Sequence, residues 1–217
     1  MGTQHLILWY NIFMVHLLIW GLVGVLYSPV IYQLYKARWE TIDYTHAYFI
    51  LPLSLFLAWR NLRSYKGPDA PRTAAGLSLA VLGLVMFIFG WKLDYLFITT
   101  LSLIPLLYGI IFYLYGTGLA KRLSFPILYL LLMVPPPLGV LDAVTIPMRH
   151  GISVAAVAIL NALHYPIHRE GLMLYLGTHE IFMGAPCSGF RSLITMFSLG
   201  IFYVYVIKGT LLKKLVL

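Results

Sequence analysis

Apolar residues in this chain fall in long unbroken blocks, and that constrains the fold more than any other feature. The blocks near 6–27, 44–59, 73–91, 95–115, 123–138 and 188–207 follow neither the period of a half-buried strand nor that of a surface helix. Each approaches the ~20 residues a helix needs to cross a bilayer, the second and fifth being shorter. Of 217 residues, 61% are hydrophobic and 10% charged, where a soluble domain carries about 25% charged residues. The expected fold class is an all-α polytopic membrane protein with about six transmembrane helices, forming one integral domain over 1–217. The first block is too long for a signal-peptide core and lacks a small-x-small cleavage site, so it counts as a span.

The intervals between blocks differ in character. Val30 to Asp43 is a polar interlude, Gly67 to Pro71 a break, Lys92 to Asp94 a tight turn and Gly116 to Arg122 a basic loop. Pro135, Pro136 and Pro137 end the fifth span, because no helix runs regularly through three prolines. From Leu141 to Tyr165, Arg149, His150, Asn161 and His164 interrupt an apolar sequence, the pattern of an amphipathic helix lying at the membrane surface. Ile167 to Met183 reads as two short strands around Gly177-Thr178, a β-hairpin outside the membrane. Segment 139–187 is thus expected to be extracytoplasmic.

Charge distribution sets the orientation. With six spans and the N-terminus inside, the inner loops carry nine cations (Arg60, Arg63, Lys66, Arg72, Lys121, Arg122, Lys208, Lys213, Lys214) against one acid, Asp69. The outer segments carry six cations against six acids, so the whole formal charge of +8 lies on one side. This is the positive-inside pattern. It accounts for the basic character without nucleic acid, and it leaves membrane lipid as the surrounding partner. The expected location is a cytoplasmic (inner) membrane, with the last span beginning on the periplasmic or extracellular side.

At that beginning stands Gly184-Ala185-Pro186-Cys187-Ser188-Gly189-Phe190-Arg191, which contains the only cysteine. Ser188 is an expected N-cap. Arg191 follows Cys187 by four residues, which would place both on one helix face. A thiol beside a guanidinium and a helix start is in a setting that activates a sulfur nucleophile. An arginine just inside a span is expensive and marks a functional candidate. Two readings stay open: Cys187 as nucleophile with Arg191 as its electrostatic partner, or Cys187 as a small packing residue with Arg191 snorkelling to the interface. Of the seven histidines, His46 lies at the outer mouth of the second span and is a candidate site-lining residue, with Ser188 and Gly189. His5 and His16 belong to the first span or its cytoplasmic end and are set aside. His150 and His164 belong to the amphipathic face, and His168 and His179 to the hairpin. No His, Cys or carboxylate spacing points to a metal, and no glycine pattern to a phosphate, so no cofactor is expected.

Cys187-Ser188-Gly189-Phe190-Arg191 resembles the turn motif of the exosortase/archaeosortase family of membrane cysteine transpeptidases. Tyr44-Thr45-His46-Ala47 resembles the family's Tyr-Ser-His-Gly stretch. Phe125 to Leu130 followed by Val134-Pro135-Pro136-Pro137 resembles its proline-bounded central span. The likeness covers about Trp39 to Ile207. It implies Cys187 as nucleophile and Arg191 as the motif's arginine. It also implies exported protein substrates with a C-terminal sorting signal: a Pro-Glu-Pro-like motif, a transmembrane helix and a basic tail. Cleavage would pass through a thioester, with transfer to an acceptor, often alongside exopolysaccharide production. Pro186 stands where the family carries alanine. The family's later arginine and catalytic histidine have no counterpart before Leu217, which implies either a shortened chain or a member in which His46 substitutes. The competing class is a non-catalytic membrane scaffold or transporter component. A rhomboid-like serine protease is disfavoured, since Ser188 lacks a Gly-x-Ser-x-Gly setting.

Overall fold

The computed structural model describes residues 2–36, 46–65 and 74–207, with side chains from residue 14 onward except at 138 and 185. Tyr44, Thr45, the break at Gly67 to Pro71 and the basic residues Lys208, Lys213 and Lys214 lie outside the described residues. The helices are α1 (Gly2–Leu34), α2 (Ala47–Arg63), α3 (Ala74–Lys92), α4 (Leu96–Leu101), α5 (Leu103–Tyr129), α6 (Leu138–Ala162) and α7 (Phe190–Val206). Strands β1 (Ile167–Glu170), β2 (Met173–Leu176) and β3 (His179–Phe182) lie between α6 and α7. Among the described residues, four stretches are long and apolar enough to cross a membrane: Met14–Leu34, Ala74–Lys92, Leu96–Met133 and Gly139–Ala162, with mean hydropathies of 1.9, 2.1, 2.0 and 1.5. The chain is therefore a helical membrane protein with a small sheet.

Two expected boundaries shift. The first helix runs on to Leu34, beyond the expected end at 27. Val30 and Leu34 are buried in the core with Tyr27, so that part of the expected polar interlude is helix packed inside. Pro29 does not end this helix. It leaves the Val25 carbonyl without its helical donor, and Ser28 Oγ supplies one at 2.9 Å. The expected loop from Gly116 to Arg122 is also helical except at Gly116, whose φ of 80° and ψ of −176° break α5 in two. Phe97 and Leu101 before that break line the same cavity as Leu131 and Leu132 after it. A straight helix would hold those pairs roughly 50 Å apart at 1.5 Å per residue, so the chain reverses at Gly116. Glycine is the residue that can adopt this conformation.

Close packing holds the hairpin in place. Gly76, Gly83 and Gly90 recur every seven residues on one stripe of α3, against Tyr113, Leu106 and Thr99. Such stripes of small residues let helix backbones approach closely in a membrane. The second limb of α5 packs on α2. Pro126 strands the Arg122 carbonyl one turn back, and Asn61 Nδ2 donates to it at 2.8 Å. Ser54 Oγ donates to the Pro126 carbonyl, also at 2.8 Å. Helix α7 joins this pair through Tyr205, whose ring stacks on Phe125 with centroids 3.7 Å apart. Its hydroxyl accepts from Asn61 Nδ2 at 2.8 Å.

Beyond Met133 the chain is extended through Pro135 to Pro137 before α6 begins. The expected two-stranded hairpin is a three-stranded antiparallel sheet of order β1-β2-β3. Gly171, at φ 61°, makes a second tight turn like the one at Gly177, φ 59°. Positive φ at the first turn position suits a two-residue hairpin of type II′. Ile167, Leu174 and Met183 pack this sheet onto Val157 and Leu160 of α6. Arg169 Nη1 joins His150 Nδ1 at 3.0 Å on the same helix.

Candidate active site

The sheet delivers the chain to the turn that bears the thiol. β3 leads through Met183 and Gly184 into a 3₁₀ turn, Ala185–Ser188, closed by the Cys187 N–H donating to the Gly184 carbonyl at 3.0 Å. Gly189 follows in the left-handed conformation, φ 68°, and α7 begins at Phe190. The N-cap of α7 is thus Gly189 rather than Ser188. Ser188 Oγ still accepts the Phe190 N–H at 3.2 Å from one residue further back. The same glycine corrects the expected shared face of Cys187 and Arg191. The four-residue spacing is helical only if every intervening residue is, and the left-handed Gly189 sets Cys187 on the turn and Arg191 on the helix.

Cys187 is exposed, and among the described residues its sulfur makes no hydrogen bond. Ser188, its neighbour, is buried, with 2% of its surface exposed. It faces a cavity of about 290 Å³ with mainly apolar walls, including Phe97, Leu131, Val134 and Phe190. The polar wall of that cavity is His46, Asp142, Thr145 and Ser188. A second cavity, about 450 Å³, is bordered by His46, Arg191, Ser192 and Thr195. His46 therefore stands between the two, in the turn just before α2 and outside the helix, and is 5% exposed. Burial holds its imidazole below the ordinary value of 6.5. A hydrogen bond with the Leu132 backbone opposes that shift, and the Arg191 charge adds to it. The structure brings His46 and Arg191 together and puts Ser188 on the wall His46 shares. Cys187 lines neither cavity; it sits exposed on the turn that follows the sheet.

Residues of α6 complete the wall, and the sequence reading did not single them out as site residues. Arg149 Nη2 donates to Thr145 Oγ1 at 2.8 Å and pairs with Asp142 Oδ1 at 3.3 Å. The arginine is 8% exposed, and its Nε has no partner among the described residues. A buried guanidinium needs such partners, and here they fix the two residues that face the cavity. Asp142, Thr145 and Arg149 repeat at the three- and four-residue spacing of one helix face, and that spacing was the signal available. The other histidines lie elsewhere. His16 packs on Tyr115, 5.5 Å between centroids. His168 faces Glu170 at 3.6 Å with both side chains exposed.

Fold and site together define a polytopic helical membrane protein with an exposed thiol on a glycine-bounded turn, backed by a cavity that a histidine borders. A family model described as transmembrane exosortase (Exosortase_EpsH) matches residues 39–217. The chain belongs to that family. No curated protein and no solved structure matches it.

Proposed function

We propose that the chain is a membrane-embedded cysteine protease or transpeptidase that cleaves the C-terminal sorting signal of exported proteins through a thioester on Cys187. The observation that carries this reading is the exposed Cys187 on its glycine-bounded turn, within a match to the exosortase family that covers the turn, His46 and Arg191. In the reaction, the sulfur adds to the scissile carbonyl carbon and its proton passes to a base, the role assigned to His46. The C–N bond breaks, the amine departs with that proton, and a thioester remains. An acceptor nucleophile or water then attacks the thioester and frees the sulfur. Arg191 is assigned to the negative charge that develops on the carbonyl oxygen.

The proposed topology has six spans: α1, α2, α3, α4 with the first limb of α5, the second limb of α5, and α7. In this reading α6 lies at the membrane surface although its length and hydropathy would let it cross. What supports the surface placement is the middle of α6, where Arg149 lies buried and the adjacent His150 and Ser153 meet Arg169 of the sheet. A crossing helix would carry two arginines and a strand to mid-bilayer, at a cost of several kcal/mol. The loop charges orient the turn outward by the positive-inside pattern.

The test uses a secreted reporter ending in a Pro-Glu-Pro motif, an apolar helix and a basic tail, co-expressed with the chain in membranes. Cys187→Ala and Arg191→Ala are each expected to abolish processing with unchanged membrane levels. Normal processing by the Cys187→Ala protein would overturn the enzyme reading and leave a non-catalytic scaffold.

A further inference from the structure

The sheet that carries the chain to Cys187 has one closed side and one open one. Strand β1 is bound to α6 through Ile167 and Arg169, whereas β3 overhangs the helix. Ile181 points to the same sheet face as Leu174, its partner in the register. Yet Ile181 is 46% exposed where Leu174 is 4%. On the opposite face of β3, Phe182 is 62% exposed.

The free edge can be read from the ladder. His179 pairs with Leu176 across the two-residue turn, and Ile181 pairs with Leu174. The next bond in that series is the Met183 N–H to the Leu172 carbonyl, at 2.9 Å. Main-chain groups alternate inward and outward along an antiparallel strand. With His179, Ile181 and Met183 bonded inward, the N–H and C=O of Glu180 and the N–H of Phe182 point away from the sheet. Such edges are blunted by short strands, charged side chains, proline or a bulge; β3 is four residues long and carries Glu180, but among the described residues no lysine, proline or bulge interrupts it.

We propose that the open edge of β3 receives an extended polypeptide segment of the exported substrate by strand addition, holding it beside the Cys187 turn. The occupant follows from the geometry. Outward N–H and C=O groups alternating along a strand are matched by an extended backbone. Five residues after Phe182 the same chain presents Cys187, so a segment paired with β3 is carried toward the sulfur. A second copy of the chain is the weaker occupant. Two four-residue strands bury far less than the ~1,200 Å² of a stable interface. A substrate confined to the same membrane can use so small a contact, because its effective concentration is high.

The inference rests on the proposed function, and the experiment separates the two. Cys187→Ala leaves the chain without cysteine, so single cysteines placed by Glu180→Cys, Ile181→Cys or Phe182→Cys can be cross-linked in membranes. The partner is a reporter that the unmodified chain processes in a Cys187-dependent way, with single cysteines scanned along the segment before its apolar helix. If no such reporter is processed, the proposed function falls and this inference with it. Given one, Glu180→Cys is expected to cross-link to every second reporter position. Same-face positions should exceed the intervening ones by about fivefold, since their Cβ atoms come within ~5 Å. Ile181→Cys should give the complementary set. Glu180→Pro combined with Phe182→Cys removes one outward donor and no ladder bond. It should weaken cross-linking by about fivefold with an unchanged melting temperature, the effect of one lost hydrogen bond. Cross-links without the two-residue period, none above a control cysteine replacing Tyr165, or a dominant β3-to-β3 product between two copies would each overturn strand addition while leaving the enzyme reading in place.

Discussion

The cavity beside Ser188 exists only if the α4–α5 hairpin is held where it is, and Gly83 is the place to test what holds it. A methyl group added at Gly83 would stand 2.5 Å from the backbone nitrogen of Leu106 and 2.8 Å from its Cα. Ordinary carbon contacts lie near 3.5–4.0 Å, so α3 and α5 must part by about 1 Å at this level. Backbone atoms cannot rotate aside as a side-chain tip can. Overpacking of that kind costs about 1–3 kcal/mol, while replacing glycine by alanine inside a helix returns about 0.5–1 kcal/mol. Gly24, in α1, has nothing within 4 Å of the same added atom and gains the propensity alone. The difference between Gly83→Ala and Gly24→Ala thus isolates the clash at about 1–3 kcal/mol, or ~2–12 °C in melting temperature for a chain of this size. Thermal unfolding of the two variants in one detergent measures it. Equal melting temperatures would refute the close α3–α5 contact, and with it the position of Phe97 and Leu101 on the cavity wall.

Gly189→Ala tests the turn: the site is open, with nothing within 4 Å, but its φ of 68° is strained for any side chain. The cost of about 1–2 kcal/mol should appear as altered labelling of Cys187 by a membrane-impermeant maleimide and as reduced reporter processing; unchanged values in both would show that the left-handed residue does not set the thiol. His46 gives a pH dependence with a definite sign. Its folded pKa is held below 6.5 by burial and by Arg191, so its stability contribution is present above 6.5 and is lost as pH falls through the folded value. Melting temperature between pH 7.5 and pH 5 should drop further in the unmodified chain than in His46→Gln, and parallel curves would count against a neutral, buried His46.

Much of the architecture was legible because lipid leaves the backbone few options. An apolar block of about 20 residues in a bilayer is a helix, so the helical membrane class followed from the apolar blocks, and four described stretches are long and apolar enough to cross. The errors fall where a single residue outweighs the composition around it. Lys121 and Arg122 made 116–122 look like a loop, but only Gly116 is non-helical, and the charges sit on continuing helix. The first helix was expected to end at Tyr27 and runs on through Pro29 to Leu34, with Ser28 Oγ replacing the donor that the proline removes. At the site, Cys187 and Arg191 stood out as the lone thiol and a cation inside a span, and His46 as a histidine at a mouth. Their geometry was not legible, since the four-residue spacing was read as continuous helix and Gly189 interrupts it. Asp142, Thr145 and Arg149 were hidden differently. On an amphipathic helix a polar stripe is ordinarily the solvated one, and only the fold shows that Thr145 and Arg149 are buried while Asp142 stays exposed at the cavity rim. On α6, Thr145, Arg149 and Ser153 are thus buried, while the apolar Val144, Ile152 and Ile159 are exposed. On the proposed placement of α6 at the bilayer surface, lipid would take these apolar side chains, and the sheet and the Cys187 turn would lie over Thr145, Arg149 and Ser153.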